Sequence, residues 1–218
     1  MKKTSTQCST KDRILASAIL LFEANGFEGA SVRAICADAE ANIASINYYF
    51  GSKESLYGEV VKHVFLAAES GDSMPVLSDN PNEPIRQLCA WIEWHVSRYF
   101  PRKPSTLATF IRRELANPST MLQGIVDLTI LKSLEALKEI VSSILPENST
   151  EQEVTLHCLQ INGPTMVSAL LQPINSRLPG FELSDIDSDS IIRQAQLWSL
   201  AGLKASGANI PDQWLVMR

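Results

Sequence analysis

Between Ala44 and Tyr49 the chain gathers side chains that can read base pairs. The amide of Asn47 can pair with adenine, and the hydroxyl of Ser45 with several bases. An aromatic ring or a methyl group, as in Tyr48, Tyr49 and Ala44, can touch the methyl of thymine. Small side chains at Ala44 and Ser45 let a backbone approach the floor of a groove. This chemistry needs a short helix whose other side is anchored, and Ile46 and Phe50 supply the apolar side chains for it. Tyr48, Tyr49 and Phe50 cannot all be core, because three consecutive helical residues fan over about 200°. At least one ring must face outward, towards DNA or towards plain solvent.

The elements that position this helix can be read along the chain. Ile14, Leu15, Ala18, Ile19, Leu21 and Phe22 recur at helical spacing in a first helix, Thr10–Asn25. Thr10 reads as its N-cap, without a capping-box Glu, and Gly26 as the residue that ends it. Ser31 then caps Val32–Ala39 and Asn42 caps Ile43–Phe50, with Ile35, Ala39, Ile46 and Phe50 inward. Two short helices joined by a tight connection form a helix-turn-helix, in which the second lies in the major groove while the first braces it. Ser52 caps a fourth helix from Lys53 to about Ala68. Gly71–Pro84 is rich in Asp, Asn and Pro and reads as a loop and domain boundary. Helices at about Pro84–Phe100, Ser105–Ala116, Ser119–Leu145, Glu151–Asn175 and Ser188–Ser206 follow, punctuated by prolines. No strand, glycine-rich phosphate loop or internal repeat is visible, so the expected fold class is all-α.

Composition narrows the function classes. The 218 residues are 45% apolar and 20% charged, an ordinary globular balance that argues against disorder. The net charge of −5 is uneven: residues 1–62 hold seven basic and seven acidic side chains, and the first 13 residues hold four basic to one acidic. Nearby phosphates respond to that local field more than to distant, screened charges. Cys8, Cys36, Cys89 and Cys158 form no C-x-x-C pair, and with His63, His95 and His157 they show no zinc-ligand spacing. Such cysteine usage suits a reducing cytoplasm. Asp12 and Glu23 bracket the apolar run Ile14–Phe22, which argues against a signal peptide. Val154–Ser176 lacks charge, but Gln160, Asn162, Pro164, Gln172 and Pro173 make it too polar for a bilayer span. No acid–base pair or metal cluster supports an α-helical enzyme, and no cofactor is implied.

Leu21-Phe22, Gly26-Phe27, Ser31-Val32-Arg33-Ala34-Ile35 and the run from Ile46 through Asn47-Tyr48-Tyr49-Phe50-Gly51-Ser52-Lys53-Glu54-Ser55 to Leu56 resemble the amino-terminal domain of TetR-family transcriptional regulators, over about residues 10–58. The resemblance implies a homodimer that binds a palindromic operator and releases it when a small molecule enters the carboxy-terminal domain. It further implies groove-facing roles for Arg33, Ser45, Asn47 and Tyr49, and phosphate contacts for Ser31, Tyr48 and Lys53. Asn42 and Ala44, at the start of the same helix, complete the expected DNA-contacting set. Lys53 opens the fourth helix, where backbone N–H groups can hold a phosphate beside its ammonium. One departure stands out: the family usually has Gly-Val in the turn, and this chain has Glu40-Ala41. Either Glu40 takes a left-handed conformation at a cost of roughly 1 kcal/mol, or the turn differs. Phe110-Ile111-Arg112-Arg113-Glu114-Leu115-Ala116-Asn117-Pro118-Ser119 is similar to a segment of the CecR-like subgroup.

The remaining candidates carry open alternatives. Trp91, Trp94 and His95 crowd the fifth helix and are core, or else line a ligand cavity completed by Phe110, Arg113, Met121, Ile125 and Met166. Arg113 would meet an anionic ligand, or pair with Glu114 or Glu153. Gly163-Pro164 predicts a kink or break in the eighth helix. Ile191, Ala195, Trp198, Gly202 and Ala205 share a stripe of the last helix, and Val167, Leu170, Leu171 and Ile174 one of the eighth. Together they form a dimer interface, or intrachain core. The expectation is a cytoplasmic dimeric repressor: residues 1–58 bind double-stranded operator DNA, and residues 59–218 dimerise and hold an effector. The alternatives are a constitutive regulator without effector and a regulator that senses redox through cysteine.

Overall fold

A computed structural model describes residues 9–71, 74, 83–101, 103, 105–116, 131–175, 177, 179–180 and 186–216. Its described elements are helical: α1 (Thr10–Gly29), α2 (Val32–Asp38), α3 (Ile43–Phe50), α4 (Lys53–Gly71), α5 (Pro84–Tyr99), α6 (Thr106–Ala116), α7 (Leu131–Ile144), α8 (Glu151–Asn175), α9 (Ser188–Ala205) and a closing 3-10 turn, Asp212–Trp214. The fold is all-α, as expected. The described residues up to Ala67 form one compact unit, and those from Ala68 another. Most of the stretch read as a loop, Gly71–Pro84, and the first part of the helix expected from Ser119 lie outside the described residues.

In the first unit, α1 starts one residue earlier than its sequence suggests. Ser9 is the N-cap: its Oγ accepts from the Asp12 N–H at 3.2 Å, while the Asp12 carboxylate accepts from the Ser9 N–H at 3.3 Å. A capping box is therefore present after all, with Asp in the place that Glu or Gln usually fills. Gly26 has the positive φ expected of it, 72°, and with ψ 177° it interrupts the regular helix there, as expected; a short helical stretch follows the kink to Gly29. Ile14, Ala18 and Phe22 from α1 are fully buried, as are Ile35 from α2 and Leu56, Val60 and Val61 from α4. Tyr57 meets Phe22 and Phe27 edge to face, its centroid 5.0 Å from that of Phe22, while Phe22 and Phe27 stack on each other at 6.1 Å. Phe22→Ala-type truncations in such cores cost about 3–5 kcal/mol, so this cluster sets the platform on which α2 and α3 rest.

In the second unit, α5 is the central element. Leu88, Trp91, Ile92 and Val96 pack in one core with Leu137, Ile140 and Val141 of α7, Val154, Cys158 and Ile161 of α8, and Ile192, Leu200 and Leu203 of α9. Polar groups tie the layers: Trp91 Nε1 donates to the Ser133 carbonyl at 3.1 Å, Gln196 Nε2 to the Cys89 carbonyl at 3.0 Å, and Ser188 Oγ to the Phe100 carbonyl at 2.7 Å. Of the expected kink or break at Gly163-Pro164, the break does not occur, since α8 continues through it from Glu151 to Asn175. Pro164 is exposed, so the one backbone donor it lacks is lost on the wet side of the helix. Buried Ile161, Thr165 and Ala169 hold the other side.

Candidate functional site

The caps that the sequence announces set the helix-turn-helix. Ser31 Oγ accepts from the Ala34 N–H at 3.1 Å, and Asn42 Oδ1 from the Ala44 N–H at 3.0 Å. The Asn42 side-chain oxygen thus spends one of its two lone pairs within the protein, and its amide NH2 is not used by the cap. Ile46 and Phe50 are buried, while Asn47, Tyr48 and Tyr49 are exposed, Tyr48 by 82%. Tyr48 and Tyr49 meet edge to face at 4.9 Å, which stiffens both rings on the outer side of α3. Ala44 and Arg33 are exposed as well, and Ser45 is half-buried. Glu40 has φ 48°, so of the two alternatives for the turn it adopts the left-handed one.

At the start of α4, Ser52 Oγ accepts from the Ser55 N–H at 3.1 Å. Lys53 lies over the Phe27 ring, with Nζ 4.5 Å from the centroid. That cation–π contact restrains an ammonium that would otherwise sample many rotamers. Glu54 sits in the same turn, and its carboxyl is held below the ordinary range by its own backbone N–H, then by Ser52. A phosphate approaching this helix start therefore meets a carboxylate as well as a lysine.

The expected ligand residues are placed less uniformly. Trp91 and His95 stack at 4.6 Å and 13°, Tyr99 flanks His95 at 4.9 Å, and the Arg98 guanidinium lies 4.7 Å over the half-buried Trp94. Trp91 and Phe110 are buried, and Arg113 and Met166 half-buried on α6 and α8. Met121 and Ile125 lie outside the described residues. Cys36, Cys89 and Cys158 have their thiols pushed up by burial, Cys89 and Cys158 to about 11, which disfavours the reactive thiolate. Cys8 lies outside the described residues.

His95 offers a pH prediction. Burial, and then the nearby Arg98 charge, push its pKa down to about 3; Asn162 of α8 offsets part of this, although neither His95 Nε2 nor Asn162 Oδ1 completes a hydrogen bond of ordinary geometry. The unfolded chain binds a proton at His95 near pH 6.5, but the native chain does not until far lower. Stability from this group is therefore intact above about pH 6.5 and drains as pH falls towards 3, by about 2 kcal/mol at about pH 5. Thermal melts at about pH 7.5 and about pH 5 should show a smaller decline for His95→Phe than for the wild type. Equal declines would mean that His95 is protonated in the fold.

A groove of about 890 Å³ opens between α8 and α9, lined by Ile161, Pro164, Thr165, Ile191, Ala195, Trp198 and Gly202 among others. Ile191, Ala195, Trp198 and Gly202 of its lining come from the set expected at a dimer interface, whereas Val167, Leu170, Leu171 and Ile174 of α8 do not line it, and none of the described residues expected to hold ligand borders it. On α8, Val167, Leu170, Leu171 and Ile174 are exposed; on α9, Trp198 is 71% exposed, Gly202 and Ala205 are exposed, and Ile191 and Ala195 half-buried. Leu156 and Leu159 extend the exposed apolar row towards the start of α8. The sequence reading missed these two, although their spacing to Gly163 and Val167 continues the same helical stripe.

Two family descriptions cover most of these elements. Residues 14–60 match "Bacterial regulatory proteins, tetR family", and residues 84–203 match "HTH-type transcriptional dual regulator CecR, C-terminal domain". The chain is 30% identical over 145 residues to the probable HTH-type transcriptional regulator YttP of Bacillus subtilis, covering 66% of this chain and 67% of that one. It is 34% identical over 101 residues to the HTH-type transcriptional repressor NicS of Pseudomonas putida, covering 46% of this chain and about half (47%) of NicS. The solved structure of the transcriptional regulator FadR from Bacillus subtilis, in complex with stearoyl-CoA, superposes with a TM-score of 0.61 at 19% identity, over 87% of this chain and 97% of that one. At that identity the superposition shows a shared fold.

Proposed function

The chain belongs to the TetR family of bacterial regulators, with a C-terminal domain of the CecR type, and from that premise we propose that it is a homodimeric repressor of a palindromic operator, released by a small molecule. It is a transcriptional regulator and not an enzyme. The observation that carries the finer reading is the outward display of Asn47, Tyr48 and Tyr49 on a helix whose Ile46 and Phe50 are buried. Residues 1–58 take the DNA and residues 59–218 pair two subunits and hold the effector. Two recognition helices about 34 Å apart reach successive major grooves, and an effector that favours another spacing lowers operator affinity. The exposed apolar row on α8, with Trp198, supports pairing through α8 and α9. Among the described residues no helix is long and apolar enough to cross a membrane. The reading places the protein in the cytoplasm, with its operator.

Selection of bound sequences from random duplex DNA tests this directly: a two-fold symmetric consensus is expected, and an asymmetric or absent consensus would count against it. Lys53→Ala should weaken specific and non-specific duplexes alike and flatten the dependence of log affinity on log salt by about one for each phosphate no longer neutralised. Titrations across salt concentrations check this, and an unchanged slope would remove Lys53 from the phosphate-binding set. The complete burial of Trp91 and Phe110 favours a second reading, a constitutive regulator with a filled helical domain. A small-molecule screen by thermal shift, repeated with operator present, separates the two readings.

A further inference from the structure

The turn between α2 and α3 has an unusual stop and an unusual support. Ala41 N–H donates to the Cys36 carbonyl at 2.9 Å and Glu40 N–H to the Ala37 carbonyl at 3.3 Å, the paired bonds with which a helix closes on a left-handed residue. Glycine suits that position, because a Cβ there crowds the backbone. Glu40 occupies it with φ 48°, and among the described residues it is the one non-glycine residue at positive φ. The turn leaves the carbonyls of Ala39 and Glu40 facing one side chain of α1. Arg13 Nε donates to the Ala39 carbonyl at 3.1 Å, and Arg13 Nη2 to the Glu40 carbonyl at 3.4 Å. A cation is also favoured there by the partial negative charge at a helix C-terminus. Arg13 is well placed to act as a strut, since its neighbour Ile14 is fully buried. α3 starts at Ile43, a few residues past the bonded carbonyls.

We propose that Arg13 is a positioning residue: by bridging α1 to the two carbonyls of the α2–α3 turn, it holds Glu40 left-handed and fixes the angle at which α3 presents Asn47 and Tyr49. A basic side chain this near the amino end would ordinarily be read as a phosphate contact, but here the guanidinium is turned onto backbone oxygens. The bridge stands on geometry alone, and its consequence for DNA rests on the regulator reading above.

The test uses the full chain with Arg13→Gln, Arg13→Lys and the double variant Arg13→Gln/Glu40→Gly. Hydrogen exchange at the Ala41 amide, measured without DNA, should quicken by about tenfold in Arg13→Gln, the worth of one charge-assisted hydrogen bond. Affinity for a selected operator should fall by about tenfold, while affinity for random duplex and its salt slope stay at wild-type values. Arg13→Lys should recover only part of the loss, because an ammonium lacks the planar fork that spans both carbonyls. Glu40→Gly should restore much of the operator affinity in the Arg13→Gln background, since glycine needs no support at that φ. Unchanged Ala41 exchange would overturn the proposal. So would a parallel loss on random duplex with a flattened slope, which marks a phosphate contact. A lowered melting temperature with unaltered affinity of the folded protein would overturn it too, as that marks a purely structural role. A wild-type protein without sequence preference would sink the regulator reading, and the Ala41 exchange would still decide the bridge.

Discussion

Trp198→Glu should give a folded subunit that no longer pairs and no longer holds its operator. The side chain is 71% exposed in the single chain, so its removal takes little from the subunit's own core. In a two-fold dimer through α8 and α9, the same residue is buried twice. Truncating a central tryptophan of an interface costs about 2 kcal/mol or more, and a carboxylate left in an apolar seam adds to that. Counted on both subunits, the loss is about 4 kcal/mol or more, about a thousandfold in the dimer dissociation constant. A lone subunit reaches one half-site, so operator affinity should fall with it. Sedimentation equilibrium would read a mass near the 24.0 kDa of one chain, and far-UV circular dichroism would confirm that the helices persist. A variant that still sediments as a dimer and binds operator would move the interface away from this face. Glu in place of Leu159 offers an independent check, since that residue is 61% exposed on the same row.

Local chemistry decides which parts of this molecule are legible without coordinates. Ser31 and Asn42 are legible as caps because a short side-chain acceptor beside a periodic run has few other uses. The inward set Ile35, Ala39, Ile46 and Phe50 follows from helical spacing, and all four are buried. The first cap is misread from sequence because Ser9 and Thr10 are adjacent hydroxyls, and the choice between them is made by Asp12, whose shorter side chain still closes the box. Gly26 is legible as a positive-φ residue, but the bend that follows depends on Phe27 reaching Phe22 and Tyr57, contacts that no local pattern encodes. Glu40 shows the same limit. Two conformations of its turn are open to the sequence, and the support for the strained one comes from Arg13 on another helix.

The helical domain is harder to read for a physical reason. A cavity lined by aromatic side chains and a core filled by them call for the same residues at the same spacing. Trp91 satisfies its indole N–H on the Ser133 carbonyl and stacks on His95, an arrangement that a filled core needs and a ligand site can also use. The exposed face of α8 and α9 is readable in part, because small Gly202 and Ala205 beside Trp198 mark a surface made for close approach. Its extension to Leu156 and Leu159 is also readable by spacing, but the stripe between them and Val167 carries only Gly163, which adds no apolar side chain to mark it.

Asn47→Ala should relax sequence preference by weakening the operator while leaving affinity for random duplex unchanged. Asn47 is exposed on the outer side of α3, one residue after buried Ile46, and its amide can both donate to and accept from the edge of adenine. A well-formed pair of that kind is worth about 1–3 kcal/mol of discrimination, and a symmetric dimer uses it in both half-sites, about 2–6 kcal/mol in all. The operator should therefore lose about thirtyfold or more in preference over the same duplex changed at that base pair in both half-sites, while random duplex binds as before. The contrast with Lys53→Ala is diagnostic: removing a charge lowers every affinity and flattens the salt dependence, whereas removing an amide leaves the slope alone. Competition between the selected site and versions changed symmetrically in both half-sites measures the effect. If Asn47→Ala discriminated among those duplexes as the wild type does, α3 would not be the helix that reads the bases, and the outward display of Asn47, Tyr48 and Tyr49 would need another purpose.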